Sequence, residues 1–163
     1  MRLSALFTPK DKRGILHSCS HDTGQERIKK LARRSVLVVD DHTATLEVIA
    51  RILATKFDVI GKVGGGAAAL DAAEELKPDL VVLDVSMPMI SGIEVARILR
   101  KKNPNAKIVF VTVHNDPDFL SEALDAGGLG YVLKPRMASD LVRALNEAVL
   151  GRRFISPTLF ESS

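Results

Sequence analysis

From Ser35 onward the chain alternates between two hydrophobic patterns. Short apolar runs recur at Ser35–His42 (SVLVVDDH, ending in two acids), Asp58–Val63 (DVIGKV), Leu80–Asp84 (LVVLD), Lys107–Thr112 (KIVFVT) and Gly130–Lys134 (GYVLK). Runs this short and this rich in Val, Ile and Leu predict strands buried on both faces. Between them, apolar residues fall at helical spacing. Leu46, Ile49, Ile52 and Leu53 mark a first helix. A second runs from about Ala67 to Leu76 and stops before Pro78, because the residue preceding proline avoids helical geometry. A third spans about Ser91 to Lys102, with Ser91 as its N-cap. Asp116 caps a fourth, with Pro117 at its first position, which runs to about Ala126 and closes at Gly127 and Gly128. The fifth runs from about Ala138 to Leu150, with Leu141, Ala144, Leu145 and Ala148 on one face and Gly151 at its end. Gly64, Gly65 and Gly66 form a turn; no Gly-Lys-Ser/Thr follows to make a phosphate loop.

Strand–helix repeated five times predicts an α/β fold, a doubly wound parallel sheet with right-handed crossovers. Ligands of such sheets sit at the carboxyl ends of the strands. The polar residues stand there. Asp40 and Asp41 close the first strand, Asp84 the third, Thr112 the fourth and Lys134 the fifth. Three carboxylates in one cleft repel one another and push at least one toward protonation. A divalent cation removes that conflict, and Mg²⁺ suits an all-oxygen site completed by water. Lys134 adds a positive charge and Thr112 a hydroxyl, which together describe a pocket for a small dianion beside a metal. Asp84 is then a candidate nucleophile, because carboxylates form aspartyl-phosphates.

Charge changes the picture in one respect. The chain has 163 residues and a formal net charge of +3. Residues 1–34 hold nine Lys/Arg and three Asp/Glu, a net of +6, so the remainder carries −3. The basic character belongs to the N-terminal extension, and the body is not a nucleic-acid binder by charge. The expected organisation is a basic, disordered extension over 1–34, one domain over 35–157 and a tail over 158–163. Aromatic residues make up 4% of the chain and Trp is absent, which excludes a base-stacking platform. The single Cys19 forms no internal disulfide, and no run is long enough to span a bilayer. The expected location is therefore cytoplasmic, with no membrane partner.

The segment from Ser35 to about Pro157 resembles the receiver domain of bacterial two-component response regulators. The resemblance rests on Asp40-Asp41, on LVVLD with Met87-Pro88 and Gly92, on FVT at Phe110–Thr112 and on GYVLKP at Gly130–Pro135. It implies a flavodoxin-like strand order of 2-1-3-4-5. It implies that Asp84 accepts a phosphoryl group from a histidine kinase or phosphotransfer protein. Mg²⁺ would be bound by Asp41, by Asp84 and by the Ser86 backbone carbonyl, with Asp40 acting mostly through a metal-bound water. Lys134 would hold the Asp84 carboxylate and then the phosphoryl oxygens, across a cis bond to Pro135. Thr112 would swing toward the phosphoryl group and Tyr131 would rotate inward, reshaping the surface of the fourth helix, fifth strand and fifth helix.

Two features depart from the commonest pattern. Val113 is bulkier than the usual residue after the threonine, and it would crowd the path of Tyr131. Ser86 and His114 occupy the variable positions that flank the site and, in the family, tune hydrolysis of the aspartyl-phosphate. Val113 and GRRFISP at Gly151–Pro157 resemble the LuxR/NarL-type branch, yet no helix-turn-helix follows. The expectation is a single-domain receiver, not an enzyme beyond its own phosphorylation and dephosphorylation, that acts on a protein target, with a homodimer through the last helix as a further expectation. The alternatives are a Mg²⁺-dependent phosphohydrolase with an Asp nucleophile and a receiver fragment of a DNA-binding regulator. A haloacid-dehalogenase-type hydrolase needs Asp-x-Asp around its nucleophile, whereas Val85 and Ser86 follow Asp84. A nucleotide or flavin binder of similar topology needs phosphate-cradling loops where acids stand. His42 and His114, without a thiolate partner, make a Zn site improbable.

Overall fold

The computed structural model describes residues 33–157. The expectations for the bulk of the extension and for the tail lie outside the described residues. Strands β1 (Ser35–Val39), β2 (Asp58–Val63), β3 (Leu80–Leu83), β4 (Lys107–Thr112) and β5 (Gly128–Leu133) alternate with helices α1 (Thr43–Leu53), α2 (Gly66–Leu76), α3 (Gly92–Lys102), α4 (Pro117–Asp125) and α5 (Met137–Val149). A two-residue strand, β6 (Phe154–Ile155), follows. All pairings are parallel, in the order β2-β1-β3-β4-β5-β6.

The unbroken apolar runs have a direct structural cause. Successive side chains of a strand leave the sheet on opposite faces, and here both faces are covered by helices. Leu37, Val39, Val81, Leu83, Ile108, Phe110, Tyr131 and Leu133 pack on the side of α2, α3 and α4. Val36, Val38, Leu80, Val82, Val109, Val111 and Val132 pack on the other side, against Leu46, Ile49 and Leu53 of α1 and Leu141, Ala144, Leu145 and Ala148 of α5. The helix starts are equally local. Ser91 and Glu94 form a reciprocal capping box at α3, and the Asp116 side chain accepts from the Asp118 amide at α4.

Five details correct the sequence reading. β5 begins two residues early, at Gly128, and ends at Leu133. Lys134–Arg136 is a single 3₁₀ turn that runs straight into α5. No peptide bond among the described residues is cis, so the Lys134–Pro135 bond is trans, and proline's fixed φ suits the start of a helical turn. Gly66 opens α2 and Gly65 is its N-cap, so only part of the glycine run is turn. β6 has no periodicity to announce it; it exists because β5 offers it an edge, the Ser156 amide donating to the Tyr131 carbonyl at 2.9 Å.

Candidate functional site

The acidic residues stand one step beyond their strands and are held by hydrogen bonds that continue the ladder. The Asp40 amide donates to the Val63 carbonyl at 3.1 Å, and the Asp84 amide to the Val39 carbonyl at 3.0 Å. Gly92 fixes the other side of Asp84. Its amide donates to the Val85 carbonyl at 2.8 Å. A Cβ there would lie 1.8 Å from the Asp84 carbonyl oxygen, so no other residue fits without moving the loop. Met89, in the same β3–α3 loop, takes a left-handed φ of 73°, which few side chains adopt.

Asp40, Asp41, His42 and Asp84 each offer a ligand atom, and these atoms lie within 4.8 Å of one another. Asp40 and Asp84 are buried. Lys134 Nζ lies 2.8 Å from Asp40 Oδ2 and 3.4 Å from Asp84 Oδ2. Burial pushes the Asp84 carboxyl above the ordinary range; Lys134 opposes this and the charge of Asp40 reinforces it. Burial works against the Lys134 ammonium, but hydrogen bonding to Asp40 and the charges of both acids outweigh it and raise its pKa. Three carboxylates thus face one ammonium. Asp40 Oδ2 is buried, and its partner is the Lys134 ammonium at 2.8 Å. An oxygen-rich pocket in which three carboxylates share one ammonium keeps surplus negative charge and fits a hard divalent cation.

On the β4 side, Thr112 is buried and its hydroxyl accepts from the His114 amide at 3.1 Å. The His114 ring stacks on Phe119 with centroids 4.2 Å apart, and its Nε2 is hydrogen-bonded to the Ser86 hydroxyl. Tyr131 is fully buried and donates its hydroxyl to the His114 carbonyl at 2.9 Å. Burial, reinforced by the charge of Asp116 and opposed by Thr112, pushes its phenol up to about 12. Two expectations change accordingly. The Tyr131 ring is already inside, and Val113 is 65% exposed, so it points away and does not crowd the ring.

The structure therefore brings Asp40, Asp41, Asp84 and Lys134 into one cleft. It links Thr112, Ser86 and Tyr131 through His114. Sequence reading weighed His42 only as a Zn ligand and set it aside; the structure places it against both acids of β1. The network of Arg136 and Ser139 around the buried Asp140 and Ser156, on the far edge of β5, had no signal in spacing or composition. Arg136 Nε, Ser139 Oγ and Ser156 Oγ donate to Asp140 at 2.9, 2.9 and 2.8 Å.

The family model for the response regulator receiver domain matches residues 36–146. The chain belongs to this family. Response regulator GacA of Pseudomonas aeruginosa is 40% identical over 126 residues, covering 76% of this chain and 59% of its own length. The nitrate/nitrite response regulator protein NarL of Escherichia coli is 33% identical over 127 residues, covering 77% of this chain and 59% of its own length. The chain thus spans about three fifths of these relatives. Among solved structures, a LuxR-family two-component response regulator from Aurantimonas superimposes with a TM-score of 0.76 at 30% identity, covering 80% of this chain and 94% of its own. The isolated receiver domain of RcsB from Salmonella enterica, solved with a phosphomimetic beryllofluoride, gives 0.73 at 27% identity, covering 79% and 97%. No helix among the described residues is long and apolar enough to cross a membrane.

Proposed function

We propose that this receiver accepts a phosphoryl group on Asp84 from a phosphohistidine of a histidine kinase or phosphotransfer protein. One Asp84 carboxylate oxygen attacks phosphorus in line with the P–N bond. The P–O bond of an acyl phosphate forms as the P–N bond breaks, and the departing imidazole takes up a proton. Such transfers need positioning and charge neutralisation more than covalent help. Lys134, placed against Asp84 and Asp40, supplies one positive charge to the transferring oxygens. Asp41, Asp84 and the Ser86 carbonyl are the proposed direct ligands of Mg²⁺, with Asp40 acting through water. The cation, when bound, neutralises phosphoryl charge. The reading rests on one observation above the others: a buried Asp84 locked by the Gly92 contact, with a lysine ammonium 3.4 Å from its carboxylate.

The phosphoryl group adds roughly −1.5 to −2 charge where a carboxylate stood. Lys134 exchanges its carboxylate partner for phosphoryl oxygens, and Thr112 gives up the His114 amide to follow. The Thr112 and Tyr131 pair reports this on the surface of α4, β5 and α5, which acts on a protein target. Because Tyr131 is already inside, phosphorylation works by stabilising that state.

Intact-mass measurement after incubation with acetyl phosphate tests the reading. One phosphoryl adduct is expected, dependent on Mg²⁺ and absent in Asp84→Asn. A Mg²⁺-dependent adduct that persists in Asp84→Asn would sink the assignment of the nucleophile.

A further inference from the structure

The opposite end of the sheet from the acidic cleft holds a groove that phosphoryl transfer does not use. It opens between α2 and α3, where those helices end and where β3 and β4 begin. Its first chamber, of about 590 Å³, is lined by Leu70 and Ala73 of α2, Val81 of β3, Leu99 of α3 and Ala106. Val81 and Leu99 are buried, and Leu70 and Ala73 are half-buried. A second chamber, of about 310 Å³, carries three cations, Arg34, Lys77 and Lys107, against one acid, Asp79. Lys77, Pro78, Asn103 and Ala106 line both, so the chambers adjoin. Each volume falls within the range of about 300–1,000 Å³ usual for small-molecule sites.

Charge separates the two chambers. At the first, Lys102 Nζ lies 3.1 Å from Glu74 Oε2, so that cation is answered. In the second, the Ser35 amide and hydroxyl donate to Asp79 Oδ2 at 2.8 and 3.1 Å. Among the described residues, no carboxylate pairs with Arg34, Lys77 or Lys107. These cations gather on a body that carries −3 from residue 35 onward. Lysines at helix C-termini can simply answer the helix dipole. That accounts for Lys77 and Lys102, at the ends of α2 and α3. It does not account for Arg34 and Lys107, which stand where β1 and β4 begin. Lys77 also takes a left-handed φ of 49°, at a cap position that favours Gly or Asn.

We propose that this groove binds a small amphipathic carboxylate, with its apolar body between Leu70, Ala73, Val81 and Leu99 and its head against Arg34, Lys77 and Lys107. The body gains by leaving water, and the few charged groups fix its orientation and select its sign. A protein segment fits less well. Stable interfaces bury about 800 Å² on each partner across a broad face, whereas this site is a concavity of small-molecule size. The groove shares no residue with the acidic cleft, so the inference does not rest on the phosphoacceptor reading.

The test titrates the full chain with decanoate by calorimetry. Decylammonium, with the same body and the opposite charge, and acetate, a head without a body, are the comparisons. Decanoate is expected to bind at one site, about tenfold or more tighter than either. Amide shifts in NMR spectra are expected at Ala73, Leu99 and Lys107. Lys77→Asn, which suits the left-handed φ, and Lys107→Gln are each expected to weaken decanoate about tenfold. Ala73→Phe, which fills the apolar chamber, is expected to abolish binding. Lys56→Gln, outside both chambers, is expected to bind as the wild type does. Circular dichroism checks the fold of each variant, and the two lysine variants decide the matter if Ala73→Phe does not fold. Equal affinity for decanoate and decylammonium, decanoate binding indifferent to both lysine variants, or no binding at all overturns the proposal. So does a dimer, seen by sedimentation, that Lys77→Asn disperses and decanoate does not, since it assigns the groove to a second copy of the chain.

Discussion

Two aspartates of this receiver are equally buried, Asp84 at 4% exposure and Asp140 at 5%, and their environments push them in opposite directions. Asp84 is raised, by burial first, with Lys134 only partly compensating. Asp140 is lowered. Burial again works to raise it, but hydrogen bonds from Arg136, Ser156 and Ser139 outweigh that. Burial alone therefore does not set the character of a carboxylate; the number of donors aimed at it does. The Asp140 network pins β6 to the start of α5, since Ser156 Oγ also accepts from the Leu133 amide at 3.1 Å. Asp84 keeps its deficit, and an under-satisfied carboxylate is one that still has something to gain from a cation or a phosphoryl group.

The largest effects break the comparison at its chemistry. Asp84→Asn is expected to lose phosphorylation by acetyl phosphate entirely, while Asp140→Asn keeps it, both read by intact mass. Stability is expected to separate the pair the other way. Asp140→Ala removes the acceptor of Arg136 and Ser156, at a cost of about 2–3 kcal/mol in urea unfolding. Part of the pair is screened, because the Arg136 side chain is 37% exposed, which keeps the figure at the lower end for a buried ion pair. Asp84→Asn, in contrast, is expected to stabilise the metal-free protein at neutral pH by about 1 kcal/mol, as functional carboxylates held against their preference commonly do.

The pH dependence sharpens the same contrast. The folded pKa of Asp140 lies below its ordinary value of 3.8, so its contribution is present above that value and is lost as pH falls through the folded pKa. The stability gap between wild type and Asp140→Asn is therefore expected to close in acid. The folded pKa of Asp84 lies above 3.8, so its burial favours folding at low pH and that favour is lost as pH rises through the folded pKa. The advantage of Asp84→Asn is expected to fade in acid, leaving both gaps small and approached from opposite signs. The smallest effect concerns Tyr131. Tyr131→Phe loses one neutral hydrogen bond, about 1 kcal/mol. The chain has one tyrosine, so phenolate absorbance reports it alone. Its titration is expected near 12, with stability falling as pH rises from 10 toward that value.

Much of this was legible before the fold. Asp40, Asp41, Asp84, Thr112 and Lys134 each follow or end an apolar run, and a parallel sheet brings such ends to one edge whatever else the chain does. Ser91 and Asp116 were readable as caps because capping is decided within three residues. Val113 was misjudged because its bulk is a property of the residue but its direction is a property of the turn after β4. β6 was missed because two residues carry no period. The Gly92 requirement needed the Asp84 carbonyl in place beside it.

The sequence alone determined the alternation of strands and helices, the two-sided burial and the gathering of acids at the strand ends, because periodicity and capping act over a few residues. Only the tertiary structure decided which carboxylate Lys134 approaches more closely, 2.8 Å to Asp40 against 3.4 Å to Asp84, and that Asp84 is left short of donors while Asp140 is supplied. It also decided that Tyr131 lies inside on the His114 carbonyl. The Tyr131–His114 and Lys134–Asp84 contacts join residues 17 and 50 positions apart in the chain. Coulomb energy and desolvation follow those distances, and no local pattern encodes them.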